Sequence, residues 1–224
     1  MTRKPIVVLG TGGNSLDIAE SIESLPEWEL VGFLDDDPRR RGASVIGYRV
    51  LGELPAAREM AGHWFVNGIG SPATFRRKRE IVARTGVPRE RFATIVHPSA
   101  TVSSRATLGH GVVILQNATV AVHAALGDHV IVLPSSVVSH DCVVGDYTCL
   151  AGGCCLSGGV EVGSDSYVGT NVAIRQGVRI GRGAMLGMGA VLIRDVPAGE
   201  TWAGTPAKRL DPSAGSTGRG PGAG

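Results

Sequence analysis

The sequence predicts a small Rossmann-like α/β domain followed by an all-β parallel β-helix of hexapeptide repeats. Three observations carry that prediction. From Val102 to Leu192 every sixth residue is Val, Leu or Ile, sixteen times without an insertion, and the residue four places after each is Ala, Ser, Thr, Cys or Val. Gly109, Gly127, Gly145, Gly163 and Gly181 add a slower beat of eighteen residues, so that three hexads make one turn of a solenoid. Before the beat begins, short apolar runs alternate with helical spacing, and the first run enters a glycine loop.

In chain order, residues 5–9 (PIVVL) read as a strand entering the loop GTGGNS, after which Ile18, Ala19 and Ile22 are spaced as on an amphipathic helix that ends before Pro26. Residues 28–34 read as a second strand running into Asp35, Asp36 and Asp37, and residues 64–69 as a third ahead of a helix over 72–85. Alternating strand and helix imply a small parallel sheet, assigned to residues 1–95. Gly10, Gly12 and Gly13 allow backbone N–H groups to approach a phosphate at the helix N-terminus, with Asn14 beside them. Asp35 and Asp36, about twenty residues on, are placed to hold ribose hydroxyls. The third glycine of G-x-G-x-x-G is replaced by Ser15, and a domain this short is about half of a full dinucleotide fold. A mononucleotide or a nucleotide-linked sugar fits that space better. A tight turn that needs glycine for its geometry alone is the competing reading.

Residues 96–210 are assigned to the β-helix. A strict period of six leaves no helical face, and ordinary sandwich strands would bring turns at uneven intervals. The aliphatic residues point inward, the small residues fill the corners, and each repeat buries its face by stacking on the next, over a little over five coils. Cys142 and Cys154 fall on the small corner position. With Cys149 and Cys155 they lack paired C-x-x-C spacing, so all four read as structural thiols. Residues 211–224 contain only small, polar and turn-forming types and are expected to be a disordered tail.

The 224 residues carry a net charge of +2 with arginines scattered or in short clusters, which excludes a nucleic-acid stripe. No apolar run reaches spanning length and no leader opens the chain, so a cytoplasmic protein without a membrane span is expected. His97, His110, His123 and His129 fall on separate walls or in the linking segment. No three imidazoles converge as a zinc site requires, and no metal is expected.

The segments GFLDDDP at 32–38, IGS at 69–71, IVHPSA at 95–100, SSVVSHDCVVGDY at 135–147 and WAGTPAKRL at 202–210 stand in an order that resembles the NeuD/PglD-type sugar acyltransferases, over about residues 3–210. The resemblance implies transfer of an acetyl group from acetyl-CoA, as co-substrate, to an amino or hydroxyl group of a sugar. It also implies homotrimers of left-handed β-helices with active sites between subunits, acetyl-CoA in the groove between neighbours, and the sugar or nucleotide-sugar acceptor on the N-terminal domain. Handedness rests on the resemblance only, since ordinary parallel crossovers run the other way.

Acyl transfer from a thioester requires a base for the attacking amine or hydroxyl, and histidine suits that task near neutral pH. His140, two places after the inward Val138, is off the aliphatic row and is that base by resemblance. Asp141 takes the position of the acidic residue that orients it, which requires the backbone to bend at a corner. Gly158 is eighteen residues past His140, on the same wall one coil on, and matches the position whose N–H contacts the thioester oxygen. Gly204, Pro206, Ala207 and Lys208 are expected to shape the adenine end of acetyl-CoA, and Arg175, Arg179, Arg182, Arg194 and Arg209 supply basic groups for its phosphates. Two departures stand out. Cys149 replaces a histidine near the acyl group or sugar, and is therefore counted with the acetyl-CoA contacts, and Asn14 replaces a glycine-loop histidine. A non-sugar acceptor and a non-catalytic acyl-CoA-binding scaffold remain as alternatives.

Overall fold

The computed structural model describes residues 2–210; the expected tail at 211–224 lies outside the described residues. The N-terminal sheet contains β1 (Lys4–Leu9), β2 (Trp28–Leu34), β3 (Ser44–Val45), β4 (Tyr48–Gly52) and β5 (Trp64–Asn67) in the order β3-β4-β2-β1-β5. Its pairs β1–β2, β1–β5 and β2–β4 are parallel, and β3–β4 is an antiparallel hairpin that the apolar pattern did not reveal. Helix α1 (Gly13–Glu23) buries Ile18, Ala19 and Ile22 against the sheet. The helix expected over 72–85 is shorter: a 3₁₀ turn at Phe75–Arg77 leads into α2 (Lys78–Ala83). Ser71 and Thr74 bond to each other ahead of it, which favours a turn there over helix.

From Ile95 onward the chain winds into a left-handed parallel β-helix of two-residue strands. Up to Val191–Leu192 strands pair in parallel at a spacing of eighteen residues, as in Val120 with Val138 and Val138 with Leu156, and the last strand, Lys208–Arg209, closes antiparallel on Thr201–Ala203. The inward aliphatic residues form one continuous core through the prism. Each such side chain withdrawn from water contributes about 1.5–3 kcal/mol. At the corners Ser136, Thr148 and Ser166 donate to the carbonyls of Ala151, Gly163 and Gly181 at 3.0, 3.1 and 3.2 Å, so each buried hydroxyl is satisfied by the next coil. The third residue after each aliphatic, from Gly111 through Gly189, has a left-handed backbone, which explains its abundance of Gly, Asn, Asp and His. The eighteen-residue glycines mark the closest coil contacts: a Cβ on Gly145 would lie 2.5 Å from the backbone nitrogen of Ser164.

The three walls differ outside. On the first wall the outward residues Ile95, Val113, Ile131 and Cys149 are fully buried, because the N-terminal domain packs on them together with Ile6, Val8, Ile18 and Ile22. The second wall carries Thr119, Val137 and Cys155 outward, the third Val143, Glu161 and Arg179, and neither is covered by that domain. Polar contacts lock the dock: the buried Lys78 ammonium donates to the His129 carbonyl at 2.8 Å, and Arg79 reaches Asp165 at 3.3 Å.

Candidate functional site

Two groups of residues stand out, one on each part of the chain. The first is a cleft of about 410 Å³ outside the carboxyl ends of β1, β2 and β5, where strand order reverses around β1, the usual ligand position of an open parallel sheet. Gly10, Gly12, Gly13, Asn14, Asp35 and Asp36 all line it, with Ser71, Arg77 and Arg84 opposite. Gly12 caps α1 with its carbonyl, which accepts from the N–H of Ser15 at 2.9 Å. The N–H groups of Gly12, Gly13 and Asn14 have no acceptor among the described residues, and no acidic side chain occupies the first turn. The loop therefore offers free donors and the positive end of the helix to an anion.

Ser15, where the fingerprint has glycine, is fully buried against β5, and Gly68 makes the room: a Cβ there would lie 2.9 Å from the Ser15 Cα. The two aspartates are partly committed to the loop. Asp35 accepts from the Thr11 hydroxyl at 2.6 Å and the Asp37 N–H at 2.8 Å. Asp36 accepts from the Leu54 N–H at 3.0 Å and pairs with Arg84 at 2.7 Å. Each carboxylate keeps further lone pairs for a ligand hydroxyl.

The second group lies on the corner between the second and third walls, away from the docked wall. There the left-handed backbone of Asp141, φ 59°, turns its carboxylate back along the chain, and Oδ2 lies 2.7 Å from His140 Nδ1. The bend that the sequence required is present. A carboxylate can only accept, so Nδ1 carries the proton and Nε2 presents its lone pair outward. The hydrogen bond from His140 holds the Asp141 carboxyl below the usual carboxylate range. The imidazole is 63% exposed and stands directly over Gly158, one coil on. A Cβ at Gly158 would be 2.5 Å from Nε2, so no other residue type leaves the ring where it is. The Gly158 N–H has no acceptor among the described residues, whereas its neighbours Ser157 and Gly159 donate to Ile174 and His140.

Other expected site residues are placed differently. Cys149 is corrected: it is fully buried on the docked first wall, near Gly70 and Asn14, and offers no surface to acetyl-CoA. Burial pushes its thiol up to about 11, so it stays protonated. Ala207 is likewise packed into the core at the end of the helix, and its N–H donates to Val191 at 2.8 Å, while Gly204, Pro206 and Lys208 remain exposed around it. Arg179 pairs with Glu161, Arg182 with Asp165 and Arg209 with Glu200, whereas Arg175 and Lys208 make no ion pair among the described residues. His123, which the sequence gives no role, is brought to the same corner: its Nδ1 lies 3.3 Å from Asp141 Oδ1. The signal was its spacing of eighteen from Asp141, the same register used for Gly158. Among the described residues no cluster of three His, Cys, Asp or Glu side chains could hold a metal ion, and no helix is long and apolar enough to cross a membrane.

A hexapeptide β-helix with a histidine–carboxylate pair over a free backbone donor, joined to a domain with an anion-ready cleft, defines the class as a hexapeptide-repeat acyltransferase. The family model described as the PglD N-terminal domain matches residues 5–82. The acetyltransferase domain of PglB from Neisseria gonorrhoeae FA1090, in complex with acetyl coenzyme A, superimposes with a TM-score of 0.83 at 33% identity, covering 93% of this chain and 100% of that one. A mutant of the GDP-perosamine N-acetyl transferase from Caulobacter crescentus, in complex with CoA and GDP-perosamine, gives a TM-score of 0.82 at 29% identity, covering 92% and 97%. UDP-N-acetylbacillosamine N-acetyltransferase of Bacillus subtilis (strain 168) is 30% identical over 116 residues, 50% of this chain and 51% of that protein, so the chain spans about half the length of that curated relative. The chain belongs to the NeuD/PglD-type sugar acetyltransferases.

Proposed function

We propose that this protein transfers the acetyl group of acetyl-CoA to an amino or hydroxyl group of a nucleotide-linked sugar, with His140 as general base and without an acetyl-enzyme intermediate. The observation that carries the reading is the constellation of His140, Asp141 and Gly158, in which the Nε2 edge of the imidazole stands over a glycine whose N–H has no acceptor among the described residues. The nucleophile of the sugar attacks the thioester carbonyl carbon while Nε2 takes its proton. The carbonyl oxygen gains negative charge, and the Gly158 N–H donates to it. Collapse breaks the carbon–sulfur bond, and the leaving CoA thiolate takes up the proton held on Nε2, which restores the neutral imidazole. Asp141 holds the ring in the tautomer that this step needs and stabilises the imidazolium that forms.

The buried thiols support direct transfer. Cys149 and Cys154 are both buried with their thiols pushed up, to about 11 and about 12, so neither is a ready nucleophile at neutral pH. The cleft supplies the acceptor side, with the free N–H groups of 12–14 for phosphate and Asp35 and Asp36 for hydroxyls. None of His140, Asp141 and Gly158 lines that cleft, and they occupy the corner remote from the docked wall. This separation supports a homotrimer in which the cleft of one subunit faces His140 of the next. The exposed Gly204, Pro206 and Lys208 are assigned to the adenosine end of acetyl-CoA on the same reading.

The test is release of free thiol from acetyl-CoA across a panel of nucleotide-linked amino sugars, nucleotide-linked hydroxy sugars, free sugars and amino acids, with the product identified by mass spectrometry. Turnover confined to nucleotide-linked sugars is expected. Turnover on amino acids alone would replace the acceptor assignment, and acetyl-CoA binding without turnover on any compound would favour the scaffold reading.

A further inference from the structure

Asp141 faces a second imidazole that the reaction described above does not use. His123 precedes Asp141 by eighteen residues and occupies the same turn position one coil earlier, and both have left-handed backbones, φ 60° and 59°. Their side chains therefore leave the prism in parallel, one above the other. The result is a carboxylate between two rings, with Oδ2 at 2.7 Å from His140 Nδ1 and Oδ1 at 3.3 Å from His123 Nδ1.

We propose that His123 is a positioning residue for the transfer, fixing the free oxygen of Asp141 so that its other oxygen holds His140 in line. The proposal rests on the reading of His140 as the base. Its physical basis is the exposure of the pair: the Asp141 side chain is 58% exposed, so one hydrogen bond leaves the carboxylate free to rotate and exchange its partner for water. The second imidazole, 3.3 Å from the other oxygen, restricts that rotation. Nδ1 of His123 carries a proton in this arrangement, because the carboxylate has none to give. The titratable groups that face Asp141 are His140, His123 and Cys142, and the thiol of Cys142 is raised by burial, so the two imidazoles supply the available donors.

The backbone at 123 dictates the variants, since a left-handed φ is tolerated by glycine and asparagine but strains most other residues. His123→Gly removes the donor, and His123→Asn puts an amide N–H close to where Nδ1 stood. In the full chain, with the acceptor found in the panel above, His123→Gly is expected to lower kcat about tenfold with unchanged KM for both substrates, the effect of one lost contact to a charged group in the transition state. His123→Asn is expected to restore kcat to within about twofold. Wild-type kcat in His123→Gly overturns the proposal, as does a His123→Asn variant as slow as His123→Gly or a change confined to KM. A parallel His140→Ala variant separates the two readings, because undiminished turnover there refutes the base assignment and leaves nothing for His123 to position.

Discussion

Replacing Gly158 by alanine moves one methyl group into the space of the imidazole. The new Cβ would lie 2.4 Å from His140 Cε1 and 2.5 Å from Nε2, whereas non-bonded carbons sit about 3.5–4.0 Å apart. The ring must retreat by about 1 Å, and the 2.7 Å bond from Nδ1 to Asp141 cannot survive that displacement unchanged. A misplacement of about 1 Å in a reacting group costs roughly 10²-fold in rate, close to 3 kcal/mol. The fold has little at stake, because the imidazole is exposed and the Gly158 backbone is not left-handed, so the stability change should stay within about 0.5 kcal/mol. Thiol-release kinetics and thermal melts on the same preparation check both halves. Loss of kcat with an unchanged melt is the expected result, and a variant with wild-type kcat would refute the stacked geometry of base and oxyanion donor.

Other consequences are equally open to measurement. Asp141→Asn keeps a residue that tolerates the left-handed backbone but lets an amide N–H face Nδ1, which moves the ring proton to Nε2; kcat should fall by roughly 10² or more with KM steady. Gly68→Ala would press a Cβ to 2.2 Å from Ser15 Oγ and force α1 away from β5, costing about 1–3 kcal/mol in denaturant unfolding and raising KM for the nucleotide sugar but not for acetyl-CoA. His129, buried between the rings of Phe92 and Tyr147, is lowered from 6.5 to about 3, first by burial and then by Lys78. The unfolded chain therefore takes up this proton below pH 6.5 while the folded chain does not, so stability is fully present above pH 6.5 and is lost as pH falls toward 3. Between pH 7 and pH 5 the loss should be on the order of 2 kcal/mol by urea titration, and it should shrink in His129→Asn, which also accepts the left-handed backbone.

The helix was legible because one residue in six faces a core that admits only aliphatic side chains, and because glycines at intervals of eighteen mark where coils touch. The loop at 10–15 is legible through its glycines, and the structure places Asp35 and Asp36 in the cleft that it lines. The outside of the solenoid is less legible. Val113, Ile131, Cys149 and Tyr167 repeat at eighteen and mark the docked wall, but their type overlaps with outward residues elsewhere, such as Val137 and Val143. Only the docked N-terminal domain decides which apolar row is covered, so the sequence pattern alone does not mark Cys149 as an interface residue. The role of His123 is hidden in the sequence because its partner is a carboxylate eighteen residues on and not another histidine.

The central claim is that His140 removes the proton from the attacking group. It is tested most directly by kcat of His140→Ala on the preferred nucleotide-linked sugar, measured beside the dissociation constant of acetyl-CoA. A general base contributes about 10²–10⁴-fold, so the account predicts a fall in kcat of at least about 10² with acetyl-CoA binding unchanged. Turnover within a few-fold of the wild type would contradict it.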